Sequence, residues 1–368
     1  MIASLSLLVW LYLVFAHGRF WVSAPQLPPA EPRDPPAVDI IVPARDEAAT
    51  IAAVIASLLA QDYAGRFQVL LVDDGSTDGT AVLAGQAPRL SILRAPEKPA
   101  GWSGKLWALH QGIAASCAPL LLLTDADIVH DPRHLASLVA RLQRPGTRMV
   151  SEMVRLRCTS LAERALVPAF VYFFQMLYPF ARVNDPHSRV AAAAGGTVLL
   201  RRDALEEIGG IAAIRGALID DVTLAAAIKP GGAIFLGHSG LAASIRPYPH
   251  FADLWQMVAR TAFTQLRHSV LLLALTLLGL TLIWWVPVWA MLAAHGWRGA
   301  AGFAAFALAA CSYLPTLRRY GRSPLWALVL PLIALFFMAA TAGSALDQWR
   351  GRGSRWKSRA YEAGTSGR

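Results

Sequence analysis

The chain has 368 residues, 55% of them hydrophobic and only 16% charged, with a mean hydropathy of +0.43. This composition excludes a disordered chain and argues against an ordinary soluble enzyme, while the length allows about two domains. A formal net charge of +10 suits an anionic membrane surface, an anionic substrate or nucleic acid. Cys117, Cys158 and Cys311 lie too far apart for a disulfide framework or a zinc site, which fits a reducing compartment.

Met1 to Ala16 is almost wholly apolar and reads, with its extension to residue 24, as an uncleaved transmembrane anchor. A cleaved signal peptide fits less well, because the basic residue, Arg19, follows the apolar run instead of preceding it. Arg19 and Arg33 place residues 25–265 on the cytoplasmic side. Residues 25–37 form a Pro-rich linker, expected to be extended and poorly structured.

From residue 38 strands and helices alternate. Val38–Val42 reads as a buried strand, Ala48–Gln61 as a helix and Phe67–Val72 as a strand, with a short helix after Asp78. Ser91–Leu93 and Leu120–Leu123 read as strands, Gly104–Cys117 and His134–Leu142 as helices. Such alternation predicts an α/β domain with a mostly parallel sheet over residues 38–250, and open sheets of this kind bind ligands beyond the carboxyl ends of their strands. Those ends carry Pro43-Ala44-Arg45-Asp46-Glu47, Asp73-Asp74-Gly75-Ser76-Thr77-Asp78 and Thr124-Asp125-Ala126-Asp127. Acids gathered at one crevice repel unless a cation or basic ligand joins them. Asp125 and Asp127 suit a divalent cation, Mg²⁺ or Mn²⁺, that also bridges substrate phosphates. The second cluster is also good turn and cap chemistry.

Ala165–Ala181 is uncharged and aromatic, but Pro168 and Pro179 interrupt it; interfacial helix, core helix and span all stay open. Residues 251–268 read as an interfacial amphipathic helix on which Arg260 and Arg267 share one face. Ser269–Ala294, Gly299–Leu317 and Ser323–Leu346 lack charge for long enough to cross a bilayer, giving two to three spans within residues 269–346. Arg318, Arg319 and Arg322 fit a cytoplasmic loop, and the basic tail 347–368 also reads as cytoplasmic. Three full crossings after a cytoplasmic domain would put that tail outside, so one stretch is re-entrant or interfacial, or the charge rule gives way here.

The three acidic clusters together resemble the successive signatures of family 2 glycosyltransferases, which have a GT-A fold. Gly101-Trp102-Ser103-Gly104-Lys105-Leu106-Trp107-Ala108 is similar to a segment of their ceramide-glucosyltransferase-like branch, and Ile219-Asp220-Asp221 to the acidic motif that supplies the catalytic base. Within that branch the chain resembles most the hopene-associated group of hopanoid biosynthesis, including its anchor and membrane-spanning C-terminal region. The resemblance covers residues 38–346.

The resemblance implies transfer, with inversion, from a nucleotide-sugar donor (a UDP-sugar) to a lipid acceptor at a bacterial inner membrane. It makes Asp221 the base and Asp220 its neighbour in the motif, Asp127 the metal ligand, and Asp125 a donor ligand sharing the metal. Asp74 would hold uracil, while Pro43, Ala44, Arg45 and Glu47 line the nucleoside pocket beside Ala126. Lys105 suits the diphosphate. The family's Gln-X-X-Arg-Trp segment is altered: Gln265 is followed by Leu-Arg-His, so the arginine, Arg267, comes one place early and the tryptophan is absent. Arg260, Gln265 and Arg267 remain candidates for the diphosphate, or for lipid head groups. This departure argues against a processive polymer synthase. A nucleotidyltransferase would need a Gly-rich loop after the first strand, which is missing. A silent membrane scaffold would not need acids at each site, and nucleic acid is disfavoured because the basic residues gather near the membrane.

Overall fold

In a computed structural model, residues 1–351 and the backbone of 355–356 and 359–360 are described. Of the basic tail, Arg352, Lys357 and Arg368 lie outside the described residues. The chain forms two compact units. One gathers Met1–Ser23, Cys158–Ala181 and, among the described residues, 248–351; the other contains Ala24–Arg157 and Arg182–Pro247.

The second unit is built on an eight-stranded sheet. Its strands are β1 (Val38–Ala44), β2 (Phe67–Asp73), β3 (Leu90–Arg94), β4 (Leu120–Thr124), β5 (Ile128–His130), β6 (Thr147–Arg155), β7 (Thr197–Arg201) and β8 (Ala233–Ser244). The spatial order is β3-β2-β1-β4-β7-β6-β8-β5. β3, β2, β1 and β4 pair in parallel, as do β6 and β8, whereas β7 and β5 run antiparallel to their neighbours. Every residue of β1 and β4 is buried, as expected of strands covered on both faces. Helices Ile51–Leu59 and His134–Leu142 pack Ile51, Val54, Leu58, Leu135 and Leu138 into the same core as Val38, Ile40 and Leu122. Each such side chain contributes about 1.5–3 kcal/mol by leaving water.

Register decides what the sheet presents. Ala44 lies opposite Asp73 and Ile41 opposite Leu123, so the segments after β1, β2 and β4 emerge along one edge. Thr197 opens β7 opposite Thr124, which brings the Gly195-Gly196 turn to that edge from the other direction. Ser244 ends β8 opposite Ile128, next to Asp127. Helix Gly104–Ala114 docks through Gly112, where a Cβ would fall 2.5 Å from Ile41 Cγ2 and 3.0 Å from Val72 Cγ2.

The linker departs from expectation. It is extended but docked: His238 N–H donates to the Pro25 carbonyl (2.8 Å), Ala30 N–H to Ser137 Oγ (3.1 Å) and Arg33 N–H to Gln143 Oε1 (2.9 Å). An extended chain leaves its backbone polar groups unpaired, and β8 and helix His134–Leu142 supply the partners.

The other unit is helical. Val270–Ala293, Trp297–Arg319 and Leu330–Trp349 are long and apolar enough to cross a membrane. The N-terminal helix, Ile2–Phe15, has 14 residues, fewer than the roughly 20 that cross a hydrocarbon core unaided. Within Val270–Ala293 one turn, Thr281–Trp285, is π-helical; its Ile283 carbonyl accepts the buried Trp10 indole N–H at 2.7 Å. The aromatic stretch becomes helix Leu161–Leu177 of this unit: the Tyr172 hydroxyl meets Ser312 Oγ at 2.7 Å, and Phe173 packs edge-on against Trp284 and Phe337. Helix Phe251–Gln265 lies on Leu330–Trp349, with Trp255 over Gly343 and Phe263 N–H donating to Ser344 Oγ at 3.1 Å.

Candidate active site

The segments after β1 and β2 lock together first. Asp46, at φ 51°, accepts Thr77 N–H (2.9 Å) and donates its own N–H to Ser76 Oγ (3.0 Å). Glu47 N–H reaches Thr80 Oγ1 (2.8 Å) and Ala48 N–H reaches Asp78 Oδ2 (2.9 Å). Asp73 accepts Ser76 N–H at 3.0 Å. Asp46, Asp73 and Asp78 therefore serve the backbone, in line with the turn chemistry of this stretch. Asp74 is left beside Arg45, whose Nη1 lies 3.5 Å from its Oδ2 and donates to its carbonyl at 2.5 Å. Pro43 and Ala44 complete the end of β1.

A second group forms where β4 meets the Gly195-Gly196 turn. Lys105, on the first turn of helix Gly104–Ala114 capped by Ser103, places Nζ 2.9 Å from Asp125 Oδ1 and 3.1 Å from Asp220 Oδ2. Burial opposes the charge on Lys105, yet Asp125, Asp220 and Asp221 outweigh it and hold its pKa above the usual lysine value. Burial and then Asp127 push Asp125 up, against the pull of Lys105. The pocket beneath is backed by Leu106, Leu109, Ile211, Ile214 and Leu224.

Asp220 and Asp221 open helix Asp220–Ile228, where acids are favoured by the helix dipole. The two carboxylates have different partners. Asp220 pairs with Lys105, and it is Asp221 that anchors the loop: Oδ2 accepts Gly195 N–H (2.7 Å) and Oδ1 accepts Val222 N–H (2.8 Å). A Cβ at Gly195 would lie 3.2 Å from Asp221 Oδ2 and 3.4 Å from Lys105 Nζ, so a side chain there would crowd the tips of both. Burial and the adjacent Asp220 raise the Asp221 pKa to about 6, with Lys105 and the two amides opposing. A carboxylate held by amides, with a pKa near neutrality, is suited to accept a proton.

A third group surrounds Asp127. Arg246, two residues past β8, donates from Nε to Asp127 Oδ2 (2.7 Å) and from Nη2 to both oxygens of Glu47 (2.7 Å each). Ser244 Oγ donates to Asp127 Oδ2 at 3.2 Å, and Ile245 N–H to the Asp127 carbonyl at 2.9 Å. The Ala126 carbonyl accepts the Thr50 hydroxyl at 2.8 Å. Sequence reading missed Arg246, although the search at strand ends would have found it had β8 been recognised. It also missed the buried chain behind β4, in which Thr124 Oγ1 meets His130 Nε2 (3.1 Å), His130 Nδ1 meets His134 Nδ1 (2.8 Å) and His134 Nε2 meets Glu152 Oε2 (2.8 Å).

Among the described residues no three His, Cys, Asp or Glu side chains form a ready metal cage. The donor set is two carboxylates on the Asp125-Ala126-Asp127 loop, which fits Mg²⁺ or Mn²⁺ only where substrate phosphates complete the shell.

Arg260, Gln265 and Arg267 belong to the helical unit. The helix ends at Gln265, and Arg267 follows it at φ 53°, so the seven-residue spacing does not put Arg260 and Arg267 on one helix face. Two successive residues, Arg267 and His268, turn the chain left-handed there. Gln265 Nε2 donates to the Tyr178 hydroxyl at 2.5 Å.

Residues 39–209 match the family model for glycosyl transferase family 2. An N-acetylglucosaminyltransferase of Mesorhizobium japonicum is 33% identical over 143 residues, 35% of this chain and 32% of that protein. The succinoglycan biosynthesis protein ExoU of Rhizobium meliloti is 37% identical over 111 residues, 29% of this chain and 31% of that protein. The chain thus spans about a third of the length of these curated relatives. Among solved structures, the mannosyltransferase PcManGT from Pyrobaculum calidifontis, in complex with GDP-Man and Mn²⁺, shares the fold: TM-score 0.57 and 20% identity, covering 97% of this chain and 100% of that one.

Proposed function

We propose that the family 2 glycosyltransferase domain over residues 39–209 makes this chain a membrane-bound inverting transferase that moves a sugar from a UDP-sugar to a lipid hydroxyl. The observation that carries the reading is the Asp221 carboxylate, fixed by two amides beside the Lys105–Asp125–Asp220 cluster at the strand ends.

In this reading the base takes the acceptor proton as the hydroxyl oxygen attacks the anomeric carbon. The bond to the diphosphate then breaks, its electron pair leaving on the diphosphate oxygen. Lys105 faces the developing charge, and Asp220 keeps that lysine aimed. Asp74 accepts the uracil imide N–H, with Arg45 holding the Asp74 backbone in place and Glu47 at the pocket wall. Asp125 and Asp127 would hold a divalent cation, whose chemistry is to neutralise the leaving diphosphate. Arg260, Gln265 and Arg267 are assigned to diphosphate or head-group charge.

Exposed Leu271, Leu275, Leu278, Leu292, Phe303, Leu332 and Leu335 on the three long helices support a bilayer setting. We place the enzyme in a bacterial inner membrane with residues 25–265 cytoplasmic, the side where nucleotide sugars are made. The acceptor class is a membrane lipid of the hopanoid type. The names of the curated relatives make UDP-N-acetylglucosamine the first donor to try. Purified protein is incubated with UDP-N-acetylglucosamine, UDP-glucose or GDP-mannose and total membrane lipid, and new glycolipids are read by mass spectrometry. A hexose or N-acetylhexosamine mass added to a lipid, lost in Asp221→Asn, supports the reading. Nucleotide release with no lipid product for any donor would remove the lipid acceptor.

A further inference from the structure

Arg246 sits on the carboxylate that the reading above gives to the metal. Its guanidinium makes three charge-assisted contacts of 2.7 Å, one to Asp127 and two to Glu47. Asp127 and Glu47 have side chains 10% and 9% exposed, so little water competes for them, while the arginine itself is 30% exposed. One nitrogen, Nη2, reaches both Glu47 oxygens while Nε holds Asp127, and hydrogen bonds between ionised partners are about twice as strong as neutral ones. Arg246 also joins three strand ends, since Glu47 follows β1, Asp127 follows β4 and Arg246 follows β8. The oxygen it occupies, Asp127 Oδ2, is shared with the Ser244 hydroxyl.

We infer that Arg246 is a resident cation that guards Asp127: a divalent metal and the guanidinium compete for the same carboxylate, and Arg246 yields it only when a diphosphate offers another anionic partner. The inference rests on the assignment of Asp127 to the metal. It follows from charge. With Arg246 in place one guanidinium already offsets one of the two carboxylate charges of Asp127 and Glu47, so free metal gains less by entering. A diphosphate supplies both oxygens for the metal and negative charge for the arginine. Metal and donor would therefore bind cooperatively, and metal alone would bind poorly.

The test titrates Mn²⁺ alone, read by the free-ion EPR signal, into the full-length detergent-solubilised protein with and without UDP. Wild type should bind Mn²⁺ weakly, and UDP should tighten it. Arg246→Gln should bind Mn²⁺ without UDP about tenfold more tightly than wild type, in the usual range of coupling between two ligands. The gain from adding UDP should shrink accordingly. Arg246→Lys retains the charge but loses the second nitrogen by which one side chain holds both carboxylates, and should fall between the two. Asp127→Asn should lose the response. If Arg246→Gln does not fold, as judged by its thermal unfolding transition, the comparison of Arg246→Lys with wild type decides. Equal Mn²⁺ affinity in wild type and the arginine variants, with binding still dependent on Asp127, overturns the guard and leaves the metal assignment standing. No Mn²⁺ binding by any of them, even with UDP, removes the metal assignment and the guard with it.

Discussion

The Asp221 carboxylate accepts the Gly195 amide proton at 2.7 Å, joining the start of helix Asp220–Ile228 to the turn before β7. On the proposed mechanism, loop position and proton acceptance meet in one side chain. Asp221→Asn keeps the shape but removes the proton acceptor. Turnover should fall by about 10²–10⁴-fold. Affinity for the UDP-sugar should change by less than about 1 kcal/mol, because the proposed donor pocket is built from other strand ends. Near wild-type turnover, or an equal loss of donor binding, would make the assignment wrong.

The same carboxylate sets a pH dependence. Burial and Asp220 raise its pKa to about 6, and only the deprotonated form can take a proton. The active fraction is then about one tenth at pH 5 and about nine tenths at pH 7. Turnover should rise with pH through 6 and level off above 7. A flat profile between pH 5 and 7 would count against Asp221 as the base.

Removal of metal probes Asp125 and Asp127. EDTA should weaken UDP-sugar binding, measured by calorimetry, and Mn²⁺ or Mg²⁺ should restore it. In Asp127→Ala the restoration should be lost. Indifference of donor affinity to EDTA would strip both residues of this role.

Gly112 is where the helix bearing Lys105 meets the sheet. A side chain there would press on Ile41 and Val72. Gly112→Val should lower stability by about 1–3 kcal/mol, the usual cost of overpacking, and lower the thermal midpoint. An unchanged midpoint would show that the helix can move away without loss.

Membrane sidedness can be read with thiol chemistry once Cys117, Cys158 and Cys311 are replaced, since Cys117 and Cys311 are exposed. Single cysteines placed between Pro25 and Pro36 should resist an impermeant reagent in intact cells. Labelling there would invert the topology. The same probe after Asp347 reports the side of the basic tail.

Three of the strand ends at the crevice were legible in sequence because β1, β2 and β4 are short, apolar and bounded by polar residues. β8 was not: Gly237-His238-Ser239-Gly240 breaks its apolar run, so Arg246 was overlooked. Adjacent Asp220 and Asp221 look alike in sequence; what separates them is that Lys105 pairs with Asp220 while the Gly195 amide holds Asp221. Helix Leu161–Leu177 read ambiguously because the partners of Tyr172 and Phe173, which are Ser312, Trp284 and Phe337, lie more than a hundred residues away. Arg260 and Arg267 were joined by helical spacing across a helix that in fact stops at Gln265.

The bond from the Trp10 indole to the carbonyl of Ile283 joins residues 273 positions apart. Ribosomes add about 5–20 residues per second, so roughly 14–55 s pass before that carbonyl exists. Through that interval the N–H of Trp10, fully buried in the finished protein, must lean on water or a lipid head group. The N-terminal helix is thus synthesised early and seated late. Its final berth opens only when the π-helical turn within Val270–Ala293 has left the ribosome.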